Sequence, residues 1–484
     1  MLDFDSCYRA ISARDARFDG RFFTAVTSTG VYCRPICPAR TPARHNVRFY
    51  RDAAAAEAAG FRPCKRCRPE AAPGSAAWDF KGDLVRRALR LIEEGVVDEQ
   101  GVRGLARRLA VTERHLHRLF TAELGASPLA VARSRRLRLA LRLLRETSMP
   151  VTDVAFAAGF GSVRQFNATL REVYGQTPSQ LRGARPAAGS GLELRLAVRP
   201  PFDARALLEF LASQAIPGVE EAGAERYART GPGGCRIELL MRPDHVLLRV
   251  DAPDLRGVAR LVARCRRLLD LDADPQAVSR TLGADRLLAP LVAARPGLRV
   301  PGAFDGFELA VRAVLGRLAS PAAAGALAGR LAVRCGRPLP EPAGTLTHCF
   351  PTAAQVAGAD LSGLGLSDAQ RRALQALARA VAAGELDLDG GADPAETARR
   401  LLELPGFDPW TAEYVAMRAL GDPDAFPATD PGLRSAVHAL AADGAASPAE
   451  LVGRAERWRP WRAYAAMHLW TSLPAIPQRT LEKV

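Results

Sequence analysis

Four cysteines constrain the first part of this 484-residue chain more tightly than any other feature. They stand as Cys33-x3-Cys37 and Cys64-x2-Cys67, with 26 residues between the pairs. Pairs so spaced can close one tetrahedral zinc site, provided the intervening chain brings both to a single point. Disulfides would be the alternative, but they suit secreted chains. The start, MLDFDSCYRA, has early acids and no apolar stretch of signal-peptide length. No run approaches the roughly 18 apolar residues of a membrane span. The expectation is therefore a cytoplasmic protein, with no membrane partner, that holds one Zn2+ on Cys33, Cys37, Cys64 and Cys67. Cys7, Cys235, Cys265, Cys335 and Cys349 are scattered and read as inert core thiols.

Around the cluster, TAVTSTGVYCRPICPAR reads as a strand running into a tight Cys-Arg-Pro turn. FRPCKRCRP reads as a second knuckle, after a short alanine-rich helix at Ala53–Ala59. At its simplest this is a small domain with too little core, stapled by metal. A more active reading is also open. Four thiolates on Zn2+ carry a double negative charge, so at least one stays nucleophilic. Attack on the methyl group of a neutral DNA methylphosphotriester would consume that cysteine and remove one of the two charges. Repulsion from DNA phosphates would then fall.

Charge is unevenly placed. Residues 1–185 hold 32 Lys+Arg against 18 Asp+Glu, whereas residues 186–484 hold 35 against 34. The asymmetry predicts a polyanion binder in the first 185 residues. That stretch contains an internal repeat. GVRGLARRLAVTERHLHRLFTAELGASP (Gly101–Pro128) matches PVTDVAFAAGFGSVRQFNATLREVYGQTP (Pro150–Pro178) at an offset of 49 residues, then 50 after one insertion. Each copy reads as a short apolar helix, a turn, a second helix and a Gly-x-x-Pro ending. RSRRLRLALRLLRET bridges them as an amphipathic basic helix. The second helices open with polar side chains able to meet DNA: Arg114, His115, His117 and Arg118, then Ser162, Arg164, Gln165 and Asn167. That is the layout of two major-groove recognition helices about one DNA turn apart.

Beyond the small-residue linker RPAAGSG (Arg185–Gly191), strand-like runs alternate with amphipathic helices to roughly Ala294, and from Pro301 the pattern is nearly all helical. One stretch there, LPGFDPWTAEYVAMRALGDPDAFPATD (Leu404–Asp430), carries the chemistry. Gly406 sits in a turn between two helical runs. Trp410, Tyr414 and Met417 are three or four residues apart, hence on one helix face. Asp430 precedes the apolar-periodic run Leu433–Leu440, a position that suits an N-cap and equally a carboxylate at the mouth of a pocket.

These motifs resemble known families. FRPCKRC and TGVYCRPICPAR resemble the N-terminal domain of Ada adaptive-response regulators, which implies that Cys33, the first of the four, is the methyl acceptor. Residues 76–185 resemble the AraC-type double helix-turn-helix domain. Leu192–Trp470 is similar to the AlkA alkyladenine branch of the helix-hairpin-helix DNA glycosylases. It includes PPFDARALLEFLASQAIPGVE, RPGLRVPGAFDGFELAVRAVLGRLAS and AERWRPWRAYAAMHLW.

This last resemblance implies roles residue by residue. The hairpin of Leu404, Pro405, Gly406, Phe407 and Asp408 binds a DNA phosphate through the backbone N–H groups it presents, Pro405 having none. Phe210, Trp410, Tyr414 and Trp470 line a slot for the flipped base, whose cationic alkylated form favours electron-rich ring faces. Leu318 is the wedge that fills the vacated stack, preceded by Arg317 where the family carries an amide. Asp430 stabilises the positive charge that develops on the sugar. Strand-cutting relatives carry a Lys where this chain has Trp410, so hydrolysis without cofactor, leaving an abasic site, is expected.

Two departures stand out. Asp408 replaces the hairpin's second Gly; it tolerates a left-handed backbone but brings a carboxylate towards a phosphate. Pro431 replaces an aromatic. The chain also lacks the Pro-Cys-His-Arg motif of alkylguanine methyltransferases, so direct repair of O6-alkylguanine is not expected.

The fold expected is multidomain and mostly α with α+β parts. It comprises a small zinc-bound α/β domain (1–75), an all-α double helix-turn-helix (76–185), an α+β subdomain (192–295) and an all-α helix-hairpin-helix glycosylase domain (296–484). The expected partners are alkylated and promoter double-stranded DNA and RNA polymerase, and the expected state is a monomer. The expected function is repair of, and transcriptional response to, DNA alkylation. The alternative is a regulator whose glycosylase half only reads damage.

Overall fold

The computed structural model describes residues 3–15, 18–72, 83–182, 192–317, 320–441 and 447–473. The linker Arg185–Gly191 and the wedge Leu318 lie outside them. The chain forms two compact units. The first comprises Met1–Arg199, Pro243–Arg266 and Leu271–Ala273; the second comprises Pro200–Arg242, Arg267–Asp270 and Asp274–Val484.

In the first unit, a four-stranded sheet carries the cysteines. Phe23–Val26 pairs antiparallel with Val31–Cys33 on one side and Val47–Tyr50 on the other, and Arg62–Pro63 runs parallel to Val31–Cys33. The stretch Thr24–Cys33, expected as one strand, is therefore a hairpin. Its turn is closed by Gly30 N donating to Val26 O at 2.9 Å, and Thr24 faces Cys33 in register. The alanine-rich helix is Ala53–Ala58, started by Asp52, which accepts from Ala54 N at 2.8 Å. Its small side chains allow close approach. Ala54 and Ala55 share one buried cluster with Leu89, Ile92, Leu105, Leu116 and Phe120 of the helical segment that follows.

That segment shows why the repeat exists. The helices Glu113–Leu124 and Val163–Tyr174 bury Leu116, Phe120 and Leu124 in one copy and Phe166, Leu170 and Tyr174 in the other, the same positions 50 residues on. Thr112 and Ser162 cap them, accepting from His115 N and Gln165 N at 3.2 Å each. Each Gly-x-x-Pro is a stop and a start. Gly125 and Gly175 take left-handed C-cap conformations (φ 75° and 65°), which a side chain would disfavour. Pro128 and Pro178 then open the next helices. In the bridging helix Pro128–Glu146 the basic residues are largely spoken for. Arg135 is buried against Asp98, Arg136 pairs with the same carboxylate, and Arg145 pairs with Glu70. The first unit also contains the antiparallel pair Leu192–Ala197 and His245–Asp251.

In the second unit, Glu220–Ala222, Arg226–Thr230 and Arg236–Met241 form an antiparallel meander. The helical part is built around Gly306–Gly316, buried along most of its length, against helices Pro321–Cys335, Asp368–Ala382 and Pro409–Arg418. Gly306 is required for this approach: a Cβ there would lie 2.0 Å from Leu388 O. One β-hairpin, Pro338–Ala343 with Leu346–His348, interrupts a region expected to be helical apart from loops. Its three alternate prolines exclude a helix. Among the described residues no helix is long and apolar enough to cross a membrane.

Candidate functional site

The hairpin delivers Cys33 at the end of its second strand. Cys37 returns through a turn in which its N–H donates to Arg34 O at 3.1 Å. Cys64 N–H donates to Tyr32 O at 2.9 Å, placing the second knuckle beside the first. All four Sγ atoms lie within 4.8 Å of one another. Tetrahedral zinc with Zn–S of about 2.3 Å needs sulfurs about 3.8 Å apart, so the donor set fits the metal.

The electrostatics agree. The Cys33 thiol is pushed far up, first by its hydrogen bond with Cys37 and then by that with Cys67, while Cys37 is pulled down, first by Cys33. Thiolates packed this closely repel one another, and a bound cation would balance their charge. Arg34, which the spacing alone did not single out, lies against the site. Its N–H donates to Cys67 Sγ at 3.3 Å, and its guanidinium is anchored by the buried Asp19 at 2.8 Å.

Further along the first unit, Arg114, His117 and Arg118 are exposed on helix Glu113–Leu124 and His115 is half-buried, its Nδ1 3.3 Å from Arg118 Nη2. Together with Thr112 and Thr121 they line an open recess. In the second copy Arg164 and Gln165 are exposed and Asn167 is half-buried. Ser162 accepts from Gln165 N, and Gln165 Oε1 accepts from Gly161 N at 3.3 Å, one residue before the cap.

In the second unit, helix Pro394–Leu402 ends in the turn at Leu404–Phe407, where Gly406 is left-handed (φ 83°). Phe407 is buried and anchors the turn. Asp408 is not left-handed as its replacement of a glycine suggested. Its backbone is extended (φ −132°, ψ 171°), because it is the N-cap of Pro409–Arg418, accepting from Thr411 N at 2.8 Å and Thr411 Oγ1 at 2.7 Å.

One helical turn apart, the rings of Trp410 and Tyr414 stack, with centroids 4.9 Å apart and an interplanar angle of 12°. Asp430 begins helix Pro431–Ala441, its Oδ1 accepting from Leu433 N at 2.8 Å. The same carboxylate is bracketed by indoles. Trp410 Nε1 donates to Oδ2 at 2.8 Å and Trp470 Nε1 donates to Oδ1 at 2.9 Å. Three donors thus fix its orientation while leaving it half-exposed. Pro431, exposed, supplies the first residue of the helix.

Phe210 joins these aromatics through a residue that the motif did not mark. Arg418, buried, lies over the Phe210 ring at 4.7 Å and the Tyr414 ring at 5.3 Å. It donates to Pro301 O at 2.7 Å, Gln214 Oε1 at 3.2 Å and Gly302 O at 3.3 Å, and bonds the Tyr414 hydroxyl. Its place four residues after Tyr414 on one helix was the available signal. Met417 is a core residue.

Three family profiles match the chain: the metal binding domain of Ada over residues 6–70, a helix-turn-helix domain over 105–184 and the AlkA N-terminal domain over 193–305. Fold and sites thus define a fusion of Ada-type and AlkA-type parts, with a four-cysteine metal site in the first. The chain is 49% identical to a Mycobacterium tuberculosis protein described as "Probable bifunctional transcriptional activator/DNA repair enzyme AlkA", covering 97% of each. It therefore belongs to the family of Ada–AlkA bifunctional transcriptional activator/DNA repair proteins. It is also 36% identical to DNA-3-methyladenine glycosylase 2 of Escherichia coli, over 56% of this chain and 94% of the relative. Among solved structures, the 3-methyladenine DNA-glycosylase of Archaeoglobus fulgidus is similar with a TM-score of 0.50 at 22% identity. The match spans 57% of this chain and 96% of that one, and shows the shared fold.

Proposed function

We propose that this protein excises alkylated purines of the 3-methyladenine type from duplex DNA by hydrolysis, leaving an uncut abasic site. We further propose that its zinc module accepts methyl groups from DNA methylphosphotriesters as a transcriptional switch. The observation that carries the first reading is the Asp430 carboxylate held between the Trp410 and Trp470 N–H groups. A carboxylate so fixed beside aromatic faces can stabilise an oxocarbenium-like centre as the base departs. Trp410, Tyr414, Trp470 and Phe210 would enclose the base, Leu318 would fill the gap in the stack, and the turn Leu404–Asp408 would hold a phosphate. Trp410 offers no primary amine for a Schiff base, which favours hydrolysis over strand cleavage.

In the first unit, zinc when bound holds the sulfurs of Cys33, Cys37, Cys64 and Cys67 as thiolates at neutral pH. The Cys33 thiolate attacks the methyl carbon. An S–C bond forms, the methyl C–O bond breaks, and the phosphodiester leaves as an anion. The loss of one negative charge favours promoter DNA, read by the helices carrying Arg114, His115, His117, Arg118, Ser162, Arg164, Gln165 and Asn167, with RNA polymerase as the downstream partner. In this reading a single chain suffices, with functional segments 1–75, 76–185, 192–295 and 296–484. The test is release of methylated purines from alkylated duplex by wild type beside Asp430→Asn. Release by wild type alone, reduced on the order of a hundredfold or more in the variant, is expected. Equal release by both would remove Asp430 from the reaction.

A further inference from the structure

Arg317 ends the helix Gly306–Gly316, one residue before the wedge position, and reaches the phosphate-binding turn. Its Nη1 donates to Gly406 O at 2.8 Å, and its Nε faces Asp408 Oδ2 at 3.1 Å. One planar guanidinium therefore holds both the carbonyl of the left-handed glycine and the carboxylate two residues on. The remaining oxygen of Asp408, Oδ1, is committed to the start of the next helix through Thr411. The Arg317 and Asp408 side chains are 42% and 32% exposed, open to a DNA backbone lying over the turn.

The placement of Asp408 creates an electrostatic difficulty. A helix N-terminus and its preceding turn attract phosphate through unpaired N–H groups and the positive end of the helix dipole. A carboxylate at the N-cap occupies those donors and opposes the incoming anion. Arg317 cancels that charge from the one direction the cap leaves free, and its second bond stiffens the turn.

We propose that Arg317 and Asp408 form a charge-neutral clamp that joins the wedge-bearing helix end to the phosphate-binding turn. Arg317 is thereby a positioning residue that sets the affinity of this turn for the DNA backbone. The proposal rests on reading the second unit as a DNA glycosylase.

The test compares four full-length, zinc-loaded proteins: wild type, Arg317→Gln, Asp408→Asn and the double variant. For each, the KM and kcat of methylated-base release are measured, together with affinity for a duplex carrying an abasic-site analogue over a salt series. The helix-turn-helix contribution is common to all four and cancels. Arg317→Gln should raise KM about tenfold with kcat within about twofold, and reduce the salt slope of binding by about 1. Adding Asp408→Asn, which keeps a capping oxygen and removes the charge, should restore most of that affinity. A lower melting temperature for Arg317→Gln with an unaltered salt slope would overturn the clamp, as would a double variant as weak as Arg317→Gln. If wild type releases no base, the excision reading falls, and the analogue affinities alone decide the clamp.

Discussion

The two candidate centres are built in opposite ways. The cysteine centre takes all four ligands from residues 33–67, on two neighbouring knuckles of one small sheet. The carboxylate centre takes Trp410, Asp430 and Trp470 from three helices, and its aromatic wall is backed by Arg418, which bonds Gln214, Pro301 and Gly302. A site whose ligands are close in sequence announces itself by spacing, since metal geometry fixes the residue types. A site assembled by packing announces only its reactive group. Its supports are chosen by whatever the fold brings alongside.

If the contrast holds, the two centres should fail differently. The largest effect is at the cysteines. Cys33→Ala should abolish methyl uptake from methylphosphotriester DNA outright, read by mass spectrometry as loss of the single added methyl on the intact chain. Retained uptake would move the acceptor to another cysteine.

At the carboxylate, removal of one support should weaken the reaction without ending it. Trp470→Phe keeps an aromatic wall and deletes one hydrogen bond to a charged group, about 1.5–3 kcal/mol, so base release should fall roughly ten- to a hundredfold. A loss as complete as that of Asp430→Asn would show that the indole itself is indispensable.

The smallest effect sharpens the comparison through pH. His468, two residues before Trp470 on the helix Arg462–Ser472, is buried with Nδ1 unpartnered. Burial, with Arg295 adding to it, pulls its value down to about 4 from an ordinary 6.5. The folded state thus holds the ring neutral where the unfolded chain would protonate it. The stability this contributes is fully present above pH 6.5 and is lost as pH falls towards 4, on the order of 3 kcal/mol. Denaturant unfolding at pH 7 and pH 4.5 should show a steeper loss for wild type than for His468→Gln. Parallel losses would place the acid sensitivity elsewhere.

Much of this was legible. The two helix-turn-helix copies were, because caps, buried positions and the Gly-x-x-Pro joints recur at fixed offsets and each has a local cause. Asp430 as a cap was legible for the same reason. Its clasp by two indoles was not, since the resemblance gave Trp410 and Trp470 only as pocket walls and the hydrogen bonds come from packing. Other features were opaque. Thr24–Cys33 is rich in strand formers, but Ser28 and Gly30 interrupt them, and the pairing folds the chain back there. Asp408 stands in for a glycine, yet its backbone is extended, because the cap it offers Thr411 outweighs any left-handed conformation. The basic face of Pro128–Glu146 reads as a charged surface, but Arg135 is buried on Asp98.

The sequence alone determined which groups the two candidate centres offer: four sulfurs at metal-binding spacing and one carboxylate at a helix start among aromatics. Those choices follow from side-chain chemistry and local backbone geometry, which act over a few residues. Only the tertiary structure decided that Ala54 and Ala55 enter the helical core, that Arg418 backs Phe210 and Tyr414, and that Arg317 closes on Gly406 and Asp408. The first two are buried partnerships and the third is half-exposed; all three draw on residues far apart in the chain, and such pairing is settled by packing the whole.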